Sequence, residues 1–126
     1  MVGLLVVSHS AKAAEGIREI AAEMGSEAAP IAAVGGDPDG GIGTDATAIA
    51  DALAALDADE VVVLVDLGSA VMNAELAIEM SDKTVVIADA PVLEGAVEAT
   101  VAATSPSATL DSVREAAERA GGTSKR

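Results

Sequence analysis

The chain has no cysteine and no Phe, Tyr or Trp, and only 7 Lys plus Arg stand against 21 Asp plus Glu. Each shortage excludes a class of function. Without cysteine there is no disulfide, zinc ribbon, iron–sulfur cluster or thiol nucleophile. Without aromatic rings there is no base-stacking platform and no aromatic cage. A formal charge of −14 repels phosphate backbones and anionic lipid headgroups, so neither nucleic acid nor a membrane is an expected partner. The opening MVGLLVVSHS has no basic stretch ahead of its apolar run. That run is too short for a signal peptide or a membrane span, and the expected location is cytoplasmic.

What remains is aliphatic. Hydrophobic residues make up 51% of the 126, nearly all of them Ala, Val, Leu and Ile. That is too many for a disordered acidic tail. The length fits one domain with a core of small side chains. The acid excess has two readings. One is ordinary solubility. The other is adaptation to a cytoplasm of molar salt, where the Debye length shrinks to about 3 Å and self-repulsion is screened. The scattered acids and only three lysines (Lys12, Lys83, Lys125) favour the halophilic reading.

Short apolar runs alternate with longer Ala-rich amphipathic segments. Val2–Val7, Ala28–Val34, Val61–Val65 and Thr84–Ala88 read as strands, the first and third as continuous buried runs. Helices are expected over Ala11–Met24 with Ser10 as N-cap, from Thr44 or Asp45 to Leu56, and from the Asp66–Ser69 segment through Met80. Two more are expected over Leu93–Ala103 and Leu110–Ala120. Gly25 reads as a helix C-cap. There is no internal repeat and no linker. Strand–helix alternation with buried strands means an α/β fold, a doubly wound parallel four-stranded sheet with helices on both faces.

Ligands of such sheets collect at the carboxyl ends of the strands. Here the first strand ends in Ser8-His9-Ser10, with the only histidine, and the third in Asp66-Leu67-Gly68-Ser69. In a 2-1-3-4 strand order His9 and Asp66 face each other. The carboxylate would then fix one ring nitrogen and leave the other as a nucleophile. Helices starting just after both residues favour an anion there. His9 and Asp66 are therefore the candidate catalytic residues, with Ser10, Gly68 and Ser69 as candidate phosphate donors. The plainer readings are a packing or capping role for His9 and an N-cap role for Asp66. The loop Gly35–Gly43 has neither a Walker A ending nor GxGxxG spacing after the first strand, so nucleotide folds are not expected. Asp37 and Asp39 read as an acidic turn rather than a cation site. No metal and no cofactor is expected on this chain. The glycine loop itself reads equally as a lid, a partner contact or a solvent turn.

VSHS at Val7–Ser10 is followed by AEGI at Ala14–Ile17, IGTD at Ile42–Asp45, VDLGSA at Val65–Ala70, MN at Met72-Asn73 and APVLEGA at Ala90–Ala96. In this order and spacing the motifs resemble the DhaM family. Its members are the phosphotransferase subunits of PTS-dependent dihydroxyacetone kinase, within the mannose-type IIA superfamily. The resemblance implies one phosphotransferase domain over residues 1–121, a loose tail over 122–126, and a homodimer. It implies that His9 accepts a phosphoryl group from HPr, with Asp66 orienting the ring. The group then passes to ADP held by DhaL, which works with DhaK on dihydroxyacetone. LGSA after Asp66 departs from the Gly-Gly-Ser-Pro-like continuation of sugar-transporting IIA domains. With the chain ending at Arg126, HPr is expected to be a separate protein. Two alternatives stay open: a mannose-type IIA component of a sugar transport system, and a non-catalytic regulatory module binding through the same face.

Overall fold

The structure is a computed structural model describing residues 1–25 and 29–126. Its elements are β1 (Val2–Ser8), α1 (Ala11–Glu23), β2 (Ile31–Gly35), α2 (Ala46–Ala55), β3 (Glu60–Val65), α3 (Ala70–Glu79), β4 (Thr84–Ile87), α4 (Val92–Ala103) and α5 (Leu110–Arg119). A short 3-10 turn, Ala120–Gly122, follows α5. The strands form one parallel sheet in the order β2-β1-β3-β4. Every residue of β1 is buried. A central parallel strand is covered on both faces, which is why its sequence is continuously apolar rather than alternating.

Successive side chains of a strand point to opposite faces, and the core divides accordingly. Leu4, Val6, Val62 and Leu64 pack with Ala14 and Ala21 of α1, Ala96 and Ala99 of α4, and Val113 and Ala117 of α5. Leu5, Val7, Val61 and Val63 pack on the other face with Ile49 and Leu53 of α2 and with Ala70, Ala74 and Ala77 of α3. Alanine at helical spacing lets these helices lie close on the sheet, and this is how the core fills without an aromatic ring. Each fully buried Leu or Val contributes roughly 1.5–3 kcal/mol.

Several boundaries differ from the sequence expectation. The strand expected over Ala28–Val34 starts outside the described residues, at Ala28; β2 begins at Ile31, after Pro30, and takes in Gly35. Met24, not Gly25, is the C-cap of α1. A Cβ on Gly25 would stand 2.4 Å from Thr100 Cγ2 of α4, so the glycine serves close helix packing. Asp66 does not cap α3; Ser69 holds that position, three residues later. The first N–H groups of α3 are taken up by the preceding turn, Ala70 N–H donating to Leu67 O and Val71 N–H to Gly68 O. Thr109 and Ser112 form a reciprocal capping box that starts α5. Among the described residues no helix is long and apolar enough to cross a membrane.

Candidate functional site

The register of β1 and β3 builds the site. Val6 pairs with Leu64 and Val7 with Val65, the last residue of β3, so β1 runs one residue further, to Ser8. Asp66 N–H extends the ladder by one bond to Val7 O, at 3.2 Å. Continuing the register by two residues from Val6 and Leu64 sets Ser8 opposite Asp66, on the same face. His9 is the next residue, at the mouth of α1.

The Asp66 carboxylate gathers three donors. His9 Nδ1 donates to Oδ1 at 2.9 Å. His9 N–H and the Ser8 hydroxyl donate to Oδ2 at 3.0 and 2.9 Å. Partial burial opposes the carboxylate charge most strongly. The hydrogen bonds from the His9 backbone, the His9 ring and Ser8 outweigh it together and hold the Asp66 pKa below its ordinary value. A carboxylate on Nδ1–H leaves the Nε2 lone pair outward. Ser69 Oγ stands 2.8 Å from Nε2 and is its donor in this tautomer. The His9 side chain is 20% exposed, open to an incoming group but held on its inner edge.

The glycine loop braces this arrangement from the other side. Gly43 N–H donates to His9 O at 2.9 Å. Asn73 Nδ2 of α3 donates to Thr44 Oγ1 at 2.8 Å and to Thr44 O at 3.3 Å. Asp37 Oδ1 accepts Gly41 N–H at 2.7 Å and Asp39 N–H at 3.0 Å, closing the loop on itself. Gly35 lies directly under the Ser8–Ser10 turn. A Cβ there would stand 2.6 Å from Ser8 O and 2.7 Å from Ser10 O. Among the described residues no group of three or more His, Asp or Glu is placed to hold a metal ion.

Of the residues singled out in the sequence, His9, Asp66 and Ser69 come together. Ser10 does not reach the ring. Its hydroxyl accepts Ala13 N–H as the N-cap of α1, and its own N–H donates to Ser8 Oγ at 3.1 Å. Gly68 lies exposed on the turn between Asp66 and α3, with room for a Cβ. Sequence reasoning passed over Ser8, Gly35 and the Thr44–Asn73 pair. The signal for Ser8 was present: a polar residue ending a fully buried strand, in register with Asp66.

The EIIA-man family, described as the PTS system fructose IIA component, matches residues 3–114. Over 107 residues the chain is 40% identical to phosphoryl donor subunit DhaM of PEP-dependent dihydroxyacetone kinase 2 from Listeria innocua, covering 80% of this chain and 85% of that protein. It is 35% identical over 117 residues to phosphotransferase subunit DhaM of PTS-dependent dihydroxyacetone kinase from Lactococcus lactis, covering 93% and 94%. Its match to the Escherichia coli phosphoryl donor subunit DhaM is 41% identical over 113 residues, but spans only 24% of that longer protein. A crystal structure of a protein of unknown function, EF1359, superposes with a TM-score of 0.84 at 33% identity, covering 99% of this chain and 98% of that one. The chain belongs to the EIIA-man family and, within it, to the DhaM family.

Proposed function

We propose that this chain is a phosphoryl carrier of a PEP-dependent dihydroxyacetone kinase, taking up a phosphoryl group on His9 and handing it on. The observation that carries this reading is the His9–Asp66 pair, with Nδ1 bound to the carboxylate and Nε2 turned outward. The names of the relatives support the kinase over a sugar transporter, since those from Listeria innocua, Lactococcus lactis and Escherichia coli are all dihydroxyacetone kinase subunits.

The geometry supports the following chemistry. The Nε2 lone pair attacks the phosphorus of a phosphorylated donor, for which we propose HPr. The N–P bond forms as the bond to the donor's own nitrogen breaks, and that nitrogen keeps the electron pair. The ring gains positive character, which the Asp66 carboxylate stabilises through Nδ1–H. The Ser69 hydroxyl leaves Nε2 and turns its proton toward a phosphoryl oxygen. Backbone N–H groups at the Gly68–Ser69 turn and at the start of α1, immediately after Ser10, add positive potential. In the second half-reaction a terminal phosphate oxygen of ADP, held by a DhaL subunit acting with DhaK, displaces Nε2 and leaves His9 neutral. Residues 1–121 act as one transfer unit in this reading, with 122–126 as a tail. The apolar residues Ile42, Leu67 and Met72 are exposed beside Gly43, Asp66 and Ser69, and a protein covering His9 would bury them.

Phosphorylated chain is then mixed with DhaL, DhaK, ADP and dihydroxyacetone, and with a sugar-transport IIB domain in parallel. Loss of the phosphoryl group to the first mixture alone is the expected outcome. Loss to the IIB domain alone would transfer the chain to sugar transport, and retention in both would leave a regulatory module.

A further inference from the structure

The Ser8 hydroxyl is enclosed, with the residue only 1% exposed. Both of its hydrogen-bonding directions are used. Its oxygen accepts the N–H of Ser10 at 3.1 Å, and its proton goes to Asp66 Oδ2 at 2.9 Å. The Ser10 N–H can only donate, so it fixes the sense of the relay: from the mouth of α1, through Ser8, to the carboxylate. The second donor on Oδ2, His9 N–H, is also fixed as a donor. A proton on Oδ2 would face two donors and have nowhere to go. The carboxylate is thereby held ionised and aimed, with Oδ1 left for His9 Nδ1.

We propose that Ser8 is a positioning residue for phosphoryl transfer, acting through Asp66 to hold the His9 ring in the tautomer whose Nε2 is free to attack. Its hydroxyl bonds to Asp66 Oδ2 and Ser10 N–H rather than to the ring. This inference rests on the reading of His9 as the phosphoryl acceptor. It adds a third residue that the plain pair of histidine and aspartate does not contain. Ser8 also joins two elements, because the same oxygen receives the backbone of the α1 mouth and serves the end of β3. A buried polar chain of this kind rigidifies a site when every link is satisfied, and here each one is.

Ser8→Ala removes the hydroxyl, and Ser8→Thr keeps it. Ser8→Cys keeps the size with a weaker donor and serves the same comparison should Ser8→Ala not fold. Two quantities are read on the full chain: the rate of phosphorylation by charged HPr, and the titration of Asp66 followed by carbon NMR of its carboxyl. Ser8→Ala is expected to slow phosphorylation about 10- to 100-fold, as lost support of a reacting histidine generally does. It is also expected to raise the Asp66 midpoint by about one unit, the size of one hydrogen bond to a charged group. Ser8→Thr should restore both. In an Asp66→Asn background Ser8→Ala should cost little further, because the two residues act as one unit. An unchanged Asp66 midpoint, or an equal rate loss in both backgrounds, would overturn the role of Ser8. A parent chain that takes no phosphoryl group from charged HPr would instead overturn the reading of His9, whatever Ser8 does to Asp66.

Discussion

Asp66 holds His9 twice. One carboxylate oxygen accepts the ring Nδ1–H at 2.9 Å, and the other accepts the backbone N–H of the same residue at 3.0 Å. The two bonds fix both the position of the main chain and the rotation of the ring. A histidine at a strand end thus becomes a rigid nucleophile, with one nitrogen spent and one presented.

Asp66→Asn keeps the shape of the side chain but removes its charge, and its amide nitrogen cannot accept from His9. Phosphorylation is expected to slow at least about tenfold while the fold persists, read by rapid quench and mass spectrometry. The same substitution has a pH signature. The carboxyl is held below its ordinary value of 3.8, so its stabilisation is present above that value and disappears as pH falls through the depressed folded value. Urea midpoints of the parent should therefore drop more steeply in acid than those of Asp66→Asn. Parallel curves would remove the linkage.

Ser69 stands on Nε2 before phosphorylation and is free to donate to the phosphoryl group afterwards. Ser69→Ala frees the nitrogen but takes away that later donor. The expected result is an intact fold, near-parental uptake, and a phosphohistidine that hydrolyses about 10- to 100-fold faster, since a charge-assisted hydrogen bond of about 1.5–3 kcal/mol is lost. A phosphohistidine lifetime equal to the parent's would show that Ser69 does not contact the bound group.

Gly35 tests the support under the site. A methyl group there meets two backbone carbonyls, those of Ser8 and Ser10, which have no flexible end to move aside. Gly35→Ala is expected to cost about 1–3 kcal/mol of stability by overpacking and to depress phosphorylation through displacement of His9. Thermal melting and phosphorylation rates measure the two effects. A neutral substitution would mean that the Ser8–Ser10 turn can shift without consequence.

Most of the architecture could be read from the pattern of apolar residues. Continuous runs at Val2–Val7 and Val61–Val65 required strands covered on both faces, and the Ala-rich periodic segments supplied the covers. The parallel four-stranded sheet in the order β2-β1-β3-β4 follows that reading. Neighbouring β1 and β3 bring His9 to Asp66 as the strand ends implied. What escaped depends on contacts distant in sequence. Ser10 is not among these, for its reading as the N-cap of α1 is local, and its hydroxyl accepts Ala13 N–H. Gly25 looked like a cap because it follows a helix, whereas Thr100 of α4 demands the space. The loop at Gly35–Gly43 had no legible role, because Gly43 N–H ties it to His9 O across elements, while Asn73 holds the adjoining Thr44.

The acid excess gives a prediction of its own. With 21 acidic and 7 basic residues, most carboxylates have no cation to pair with. The chain repels itself across its surface, and salt relieves this as the Debye length falls from about 10 Å at 0.1 M to about 3 Å at 1 M. Melting temperature is expected to rise steeply with potassium chloride up to molar concentration. Full stability at low salt would return the charge to a role in solubility alone.

The most direct measurement is the intact mass of the chain after incubation with phosphoenolpyruvate, enzyme I and HPr in molar salt. The expected result is the gain of a single acid-labile phosphoryl group, absent when His9 is replaced by Ala in a chain that still folds. No gain while HPr is demonstrably charged, or a gain that survives His9→Ala, would contradict His9 as the carrier.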